Sequence, residues 1–292
     1  MGRDITKMKR AIFLYDFTGI MAKPWLDAGY ECWCFDGQHK LGITQEGLHV
    51  KIGMWFDSYH IETHAKDIAT LVKSCEFVFG FPECTDMAVS GAAHFAKKRA
   101  KNPEFQNEAA ALAMLVELVG EKLNCPWAAE NPVSVLSTLW RKPNFNFHPY
   151  DYGGYLPVND IHPLYPEYIK PRDAYPKKTC IWSGNGFIEP KRKEVGPDGL
   201  KLIDGKLPSE NKLITKRVQD CDQDGMGIFD KNGPVMIDST SLEYAAYDKD
   251  GDPLWGYSDQ HKKLGGKSLK TKNIRSATPR GFAQAVFEHN SN

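Results

Sequence analysis

Residues 11–36 read as strand, glycine-containing turn, helix, strand and acidic residue, an order that restricts the chain to an α/β architecture. Ala11-Ile12-Phe13-Leu14-Tyr15 is a continuous apolar run of strand length, the pattern of a parallel strand buried on both faces. Asp16-Phe17-Thr18-Gly19 ends it. A helical pattern over 20–28 carries Met21, Trp25 and Leu26. Pro24 falls in its first turn, where proline is tolerated, and Gly29 closes it. Tyr30-Glu31-Cys32-Trp33-Cys34-Phe35 is a second strand, ending in Asp36 about twenty residues after the turn. Such a unit suits an adenosine-type ligand, because a strand-end carboxylate accepts hydrogen bonds from both ribose hydroxyls. The turn holds one glycine where a dinucleotide fold uses three, so a ligand without phosphates fits better than a dinucleotide.

Later stretches extend the pattern. Phe77-Val78-Phe79 is rich in strand formers, and Cys125-Pro126-Trp127-Ala128-Ala129 is another short strand. Residues 107–123 form the clearest helix, with Ala109, Leu112, Ala113, Leu115, Val116, Leu118 and Val119 on a wide apolar face. Residues 42–53 read as a turn-rich connection, Met54-Trp55-Phe56 as a short strand, and 177–184 as a strand with lysines at its start. Near the end, Ser276 or Thr278 is placed to cap a final helix with Pro279 at its first position. The expected fold class is α/β: a mostly parallel sheet with helices on both faces, plus a small inserted irregular or β region.

With 292 residues, 41% of them apolar, the chain has enough material for a proper core. Thirty-seven basic and 37 acidic residues cancel, so any nucleic-acid contact must come from a local basic face. Seven cysteines at irregular spacing, without a CxxC pair, argue against a disulfide framework and a structural zinc site, and they fit a reducing cytoplasm. No signal peptide and no stretch of membrane-spanning length is expected. His60 and His64 stand four apart without the Glu of an HExxH pattern, so they read as polar side chains rather than metal ligands. Residues 188–262 hold many Gly, Asp and Lys and read as an inserted small domain. Within it Asp220-Cys221-Asp222-Gln223-Asp224-Gly225 resembles the start of an EF-hand loop, but Lys231 stands where the bidentate Glu is required, so turns are expected there.

Two positions invite chemistry. Gly80-Phe81-Pro82-Glu83-Cys84-Thr85 turns directly after the Phe77 strand, at the sheet edge where α/β proteins bind ligands. Cys84 is therefore a candidate nucleophile. Glu130, before Asn131-Pro132, ends another buried strand; burial raises a carboxyl pKa and makes it a candidate proton donor. The Tyr150, Tyr152, Tyr155 and Trp182 aromatics with Lys177 and Lys178 suit stacking on bases and pairing with phosphates, or an ordinary loop packed on prolines.

Taken together these stretches resemble the DNA cytosine-5 methyltransferases. Asp16-Phe17-Thr18-Gly19 with Leu26-Asp27-Ala28-Gly29-Tyr30 is similar to that family's first motif, and Asp36 to its ribose-binding acid. Asp67-Ile68 is similar to the pair placed beside adenine. Gly80-Phe81-Pro82-Glu83-Cys84 resembles the nucleophile motif, and Glu130-Asn131-Pro132 the Glu-Asn-Val motif. Asp151-Tyr152-Gly153 followed by 177–181 resembles Asp-Tyr-Gly and the Arg-x-Arg strand. Arg275-Ser276-Ala277-Thr278-Pro279 resembles the motif that closes over the cofactor. The order is the family's order, over about residues 11–187 and 273–288.

The resemblance implies a Rossmann-like catalytic domain over 1–187, a reduced target-recognition region over 188–262, and a C-terminal helix over 263–292 returning to the catalytic domain. It implies that Asp16, Phe17, Thr18, Gly19, Asp36, Asp67, Ile68, Pro82 and Ser276 contact S-adenosyl-L-methionine. It implies that Cys84, Glu130, Asn131, Lys177 and Lys178 carry the chemistry on a cytosine flipped out of DNA. The sequence departs from the pattern where Glu83 directly precedes the cysteine, where lysines replace arginines and where Pro132 replaces Val. Such departures are those of divergent, often phage-encoded, members, acting in a bacterial or infected cytoplasm. Two other functions remain open: modification of a free or already modified pyrimidine nucleotide, and a catalytically dead methyltransferase-like binding module.

Overall fold

The computed structural model describes residues 8–208, 217–219, 229–230, 233–234, 236–238, 247, 251–256, 258–266 and 268–291. The chain divides into two compact units. One comprises Met1–Pro149, Lys177–Lys191 and Gly266–Asn292; the other comprises Tyr150–Pro176 and Arg192–Gly265.

The first unit is built on an eight-stranded mixed sheet: β1 (Arg10–Leu14), β2 (Glu31–Phe35), β3 (Gly42–Glu46), β4 (His49–Gly53), β5 (Phe77–Gly80), β6 (Trp127–Pro132), β7 (Phe145–Phe147) and β8 (Thr179–Gly184). The spatial order is β3-β4-β2-β1-β5-β6-β8-β7. The run β4-β2-β1-β5-β6 is parallel, whereas β3, and β8 against both of its neighbours, pair antiparallel. From β1 the chain moves outward to β2 and β4; from β5 it moves the opposite way to β6. In open α/β sheets ligands bind beyond the carboxyl ends of the strands at such a reversal.

Helices cover both faces, which is why the strands read as unbroken apolar runs. Ile12, Leu14 and Val78 join Ala65, Ile68 and Val72 of α2 (Ile61–Val72) and Val116 and Val119 of α4 (Phe105–Leu123) in one core. On the opposite face the intervening residue Phe13 meets Trp25 of α1 (Lys23–Asp27). Trp25 also stacks on Phe77 at 4.6 Å and meets Phe287 of the C-terminal helix. Phe282 of that helix packs against Phe79 and Phe147. At Gly80 an added Cβ would lie 2.4 Å from Val116, so the close seating of α4 on β5 requires glycine there. Among the described residues no helix is long and apolar enough to cross a membrane.

Several elements differ from the sequence expectation. The stretch expected as a turn-rich connection contains the β3–β4 hairpin. Its outer strand is solvent-exposed and lacks the apolar alternation that marks a half-buried strand. Residues 54–56 form loop, not strand. The first helix begins at Lys23, because Gly19 takes φ +68° and a turn precedes Pro24. β6 runs on through Glu130, Asn131 and Pro132, because β8 pairs with all three. Ser276 does not cap the last helix: it ends α7 (Leu269–Ser276), and α8 (Arg280–Asn290) starts after Pro279 without a side-chain cap. Short helices α3 (Phe95–Lys101) and α5 (Leu136–Leu139) follow β5 and β6.

In the second unit, residues 150–176, expected within the catalytic domain, pack with 192–208. Lys193 and Val195 donate backbone hydrogen bonds to Asp151 and Tyr150, and Arg192 pairs with Asp151 at 3.2 Å. The buried Arg172 guanidinium donates to the carbonyls of Gly153 and Gly199 at 3.2 and 2.7 Å. A Cβ on Gly153 would come 2.2 Å from the Arg172 carbonyl oxygen, so this crossing admits only glycine. The unit also holds strand pairs β9 (Arg217–Gln219) with β12 (Met236–Asp238) and β10 (Phe229–Asp230) with β11 (Gly233–Pro234), and helix α6 (Asp259–Lys263). The acidic stretch 220–225 lies outside the described residues.

Candidate active site

The carboxyl ends of β1, β2, β5 and β6 carry most of the residues singled out above, on two sides. The first side is the turn after β1. Tyr15 takes φ +60°, a sparsely populated conformation for a bulky residue, and so turns the chain sharply into Asp16. Asp16 is only 2% exposed. Its Oδ1 accepts from the Gly19 amide at 2.8 Å and the Thr18 hydroxyl at 3.2 Å, while its Oδ2 is buried without a partner. Burial, reinforced by the nearby charge of Asp36, pushes its pKa up to about 6 against the opposing hydrogen bonds. Asp36, at the end of β2, accepts from the Gln38 amide at 2.7 Å, and burial raises its pKa too. Phe17 is 40% exposed, with its ring 5.5 Å from that of His39.

Sequence reasoning missed Trp55. This tryptophan is 75% exposed in the loop after β4, yet it lies so close over Gly37 that a Cβ there would come 2.2 Å from its ring. A large apolar ring held in solvent beside Asp36 is a surface for another flat group. The available signal was the pairing of Asp36-Gly37 with Trp55, but reading residues 54–56 as a strand concealed it.

The state of Asp16 has a measurable consequence. Its folded pKa of about 6 lies above the ordinary 3.8, so its protonation contributes stability that is full below about pH 4 and lost as pH rises through 6. The loss amounts to about 3 kcal/mol. Thermal melts from pH 4 to 8 are expected to fall less steeply for Asp16→Asn than for the natural chain. Parallel slopes would refute this assignment.

The second side comprises the loops after β5 and β6. Phe81 donates its amide to the Leu14 carbonyl at 3.0 Å, anchoring the Cys84 loop beside β1. The buried Asn131 donates from Nδ2 to the Pro82 carbonyl at 3.0 Å. Backbone hydrogen bonds from Val89 to Val133 and from Val135 to Met87 fasten the two loops together. The Cys84 carbonyl accepts from Met87 and Ala88, closing a tight turn that leaves its side chain half-buried. Burial raises the Cys84 thiol pKa; the Glu130 charge adds to this and the Lys177 charge opposes it. Glu130 is itself raised by burial and lowered by Lys177. A thiol, a carboxyl and an ammonium group thus act on one another at the carboxyl ends of adjacent strands.

The two lysines diverge. Lys177 donates to the Arg275 carbonyl at the end of α7 at 3.0 Å. Lys178 is exposed, and its charge bears on Cys180. Glu83 is exposed, accepts from the Thr85 hydroxyl at 2.7 Å and lies 4.0 Å from Lys272.

Three expected site residues are not brought to the strand ends as contacts. Asp67 is exposed in the middle of α2 and Ile68 is buried in the core beneath it, because this stretch is helix rather than a strand-end loop. Ser276 is exposed, and its hydroxyl donates back to the Asn273 carbonyl. Pro82 is buried, engaged through its carbonyl with Asn131. His60 and His64 both turn onto Asp57; His60 Nδ1 lies 2.8 Å from its carboxylate. Among the described residues no group of three His, Cys, Asp or Glu side chains is placed to hold a metal ion. Compared with known proteins, the chain matches no family model and no curated sequence.

Proposed function

We propose that the first unit is a methyltransferase that uses S-adenosyl-L-methionine to methylate carbon 5 of cytosine in DNA through a covalent cysteine adduct. The observation that carries this reading is the placement of Cys84 and Glu130 at the carboxyl ends of the adjacent parallel strands β5 and β6, tied together by the Asn131 hydrogen bond to the Pro82 carbonyl, with the orphaned Asp16 Oδ2 at the end of neighbouring β1. The parallel strands, taken in spatial order, are third, second, first, fourth and fifth in chain order, which supports a Rossmann-like arrangement. S-adenosylmethionine suits the residues present. The buried Asp16 Oδ2 offers an acceptor for its ammonium group, Asp36 an acceptor for ribose hydroxyls, and Phe17 and Trp55 exposed rings for adenine. The single glycine of the turn fits a cofactor without phosphates.

Carbon 5 of cytosine is a weak nucleophile. Addition of the Cys84 thiolate to carbon 6 forms a sulfur–carbon bond and makes carbon 5 enamine-like, splitting one hard step into two. Glu130, whose pKa burial raises, is the group placed to donate to ring N3 as negative charge develops there. When bound, S-adenosylmethionine supplies an electrophilic methyl group to the activated carbon. Loss of the carbon 5 proton to a base, with water the simplest candidate, then expels Cys84 as thiolate. Asn131 fixes the loop from which Cys84 acts, and Lys177 supplies positive charge that favours the thiolate.

The test is incubation with labelled S-adenosylmethionine and DNA containing 5-fluorocytosine, which has no proton to lose at carbon 5 and stalls the adduct. A labelled adduct on the peptide containing Cys84 is expected. An adduct formed only with a free 5-fluorinated nucleotide would transfer the reaction to free pyrimidine nucleotides. No adduct with either substrate, together with no calorimetric binding of S-adenosylmethionine, would leave a non-catalytic binding module.

A further inference from the structure

The second unit contains a cavity of about 370 Å³ lined by Pro176, Trp255, Gly256, Ser258 and His261. A smaller hollow of about 110 Å³ shares four of those residues and adds Lys170 and Lys262. Trp255 is the centre of both. One face of its indole is stacked on Tyr150, with ring centroids 4.1 Å apart and an interplanar angle of 16°. That stack fixes the indole plane, and Trp255 lines the hollow. The hollow is open to solvent, and its volume lies at the lower end of the range for ligand sites, enough for one nucleotide.

The lining supplies the parts such a ligand needs. A rigid aromatic face takes a base of any sequence. Ser258 caps α6 by accepting from the His261 amide at 3.3 Å, which leaves its own hydroxyl hydrogen to donate. Lys170 donates one proton to the Pro197 carbonyl at 3.3 Å and retains two others, and Lys262 is exposed at the α6 end of the hollow. Two ammonium groups next to a stacking face favour an anionic ring compound over a proline-rich or neutral aromatic one.

We propose that this cavity binds a single nucleotide, with the base stacked on Trp255 and the phosphate held by Lys170 and Lys262. It is a second nucleotide site within its own unit, independent of the chemistry at Cys84. The shared chemistry is a base with a 5′-phosphate, available either free in solution or as one unit of a single strand.

The test uses the full chain and fluorescence anisotropy with a short fluorescein-labelled deoxythymidine oligonucleotide. Unlabelled thymidine 5′-monophosphate serves as competitor. Trp255→Ala should weaken oligonucleotide binding at least about fivefold. Lys262→Ala should lower the slope of log affinity against log salt by about 0.7. Any binding at the nucleophile loop is a common background to these variants. Trp255→Phe, which keeps a ring on Tyr150, should bind with intermediate strength and guards against loss of the fold in the alanine variant. Competition by the mononucleotide at similar affinity identifies free nucleotides as the source; failure to compete identifies the strand. Undetectable binding by the natural chain, or binding that neither Trp255→Ala nor Lys262→Ala alters, would overturn the site.

Discussion

Cys84→Ala is expected to abolish methyl transfer while leaving S-adenosylmethionine binding unchanged. The two activities separate because they rest on different strands. The proposed cofactor side is built on β1, β2 and β4 and is centred on Asp16 and Asp36, whereas Cys84 sits in the turn after β5. The alanine side chain fits the half-buried space without a new clash, and the Cys84 carbonyl still accepts from Met87 and Ala88, so the loop keeps its shape. Removing a nucleophile that acts as one unit with its neighbours costs orders of magnitude in rate, with losses of about 10⁶ known for such groups. A fall of about 10⁴-fold or more is expected in transfer of a tritiated methyl group to DNA. Calorimetric titration should give the same cofactor affinity in both proteins. Turnover within tenfold of the natural chain would remove Cys84 from the chemistry and the covalent mechanism with it.

The parts of this site legible in the sequence are those fixed by short-range pattern. Continuous apolar runs located β1, β2 and β5, because a strand buried on both faces cannot alternate. A glycine or proline turn directly after such a run located Asp16 and Cys84. The sequence was silent where tertiary pairing decides. Glu130 reads as the end of a strand and Asn131 as lying beyond it, yet β8 pairs with both as part of β6, and that pairing places the Asn131 amide against the Pro82 carbonyl. Asp67 is placed by a similar cause: an acidic-apolar pair has no periodicity of its own, and the helix that absorbs it is defined by Ala65, Ile68 and Val72 packing on the core. Trp55 escaped because its exposure, not its residue type, makes it a candidate, and its position is set by contact with Gly37 from another strand end. The boundary at residue 150 was hidden in the same way, since the Tyr150–Val195 and Arg172–Gly199 contacts join segments more than twenty residues apart.

Glu130→Gln should move two properties of Cys84 in opposite directions. In the natural chain burial raises the thiol pKa, and the Glu130 carboxylate raises it further by charge repulsion. Glutamine keeps the volume and removes that charge, leaving the Lys177 ammonium unopposed by Glu130, so the thiol pKa falls and the thiolate fraction at a given pH rises. Alkylation of Cys84 by iodoacetamide, followed by mass spectrometry on its peptide, should therefore reach half-maximal rate at lower pH in Glu130→Gln. Cys32, Cys34, Cys125 and Cys180 are buried and contribute little to that signal. Methyl transfer should nevertheless drop by about 10²- to 10⁴-fold, the range for loss of a positioned proton donor. The pH profile separates the two effects. Because Glu130 acts as the acid only when protonated, and burial raises its pKa, the natural rate should decline as pH rises through that pKa. Glutamine cannot lose a proton there, so the residual activity should show only the rising limb of the thiolate. A faster-reacting thiol with slower catalysis and no alkaline decline identifies Glu130 as the acid. An alkylation midpoint that stays put or moves upward would mean that the two side chains do not share a site.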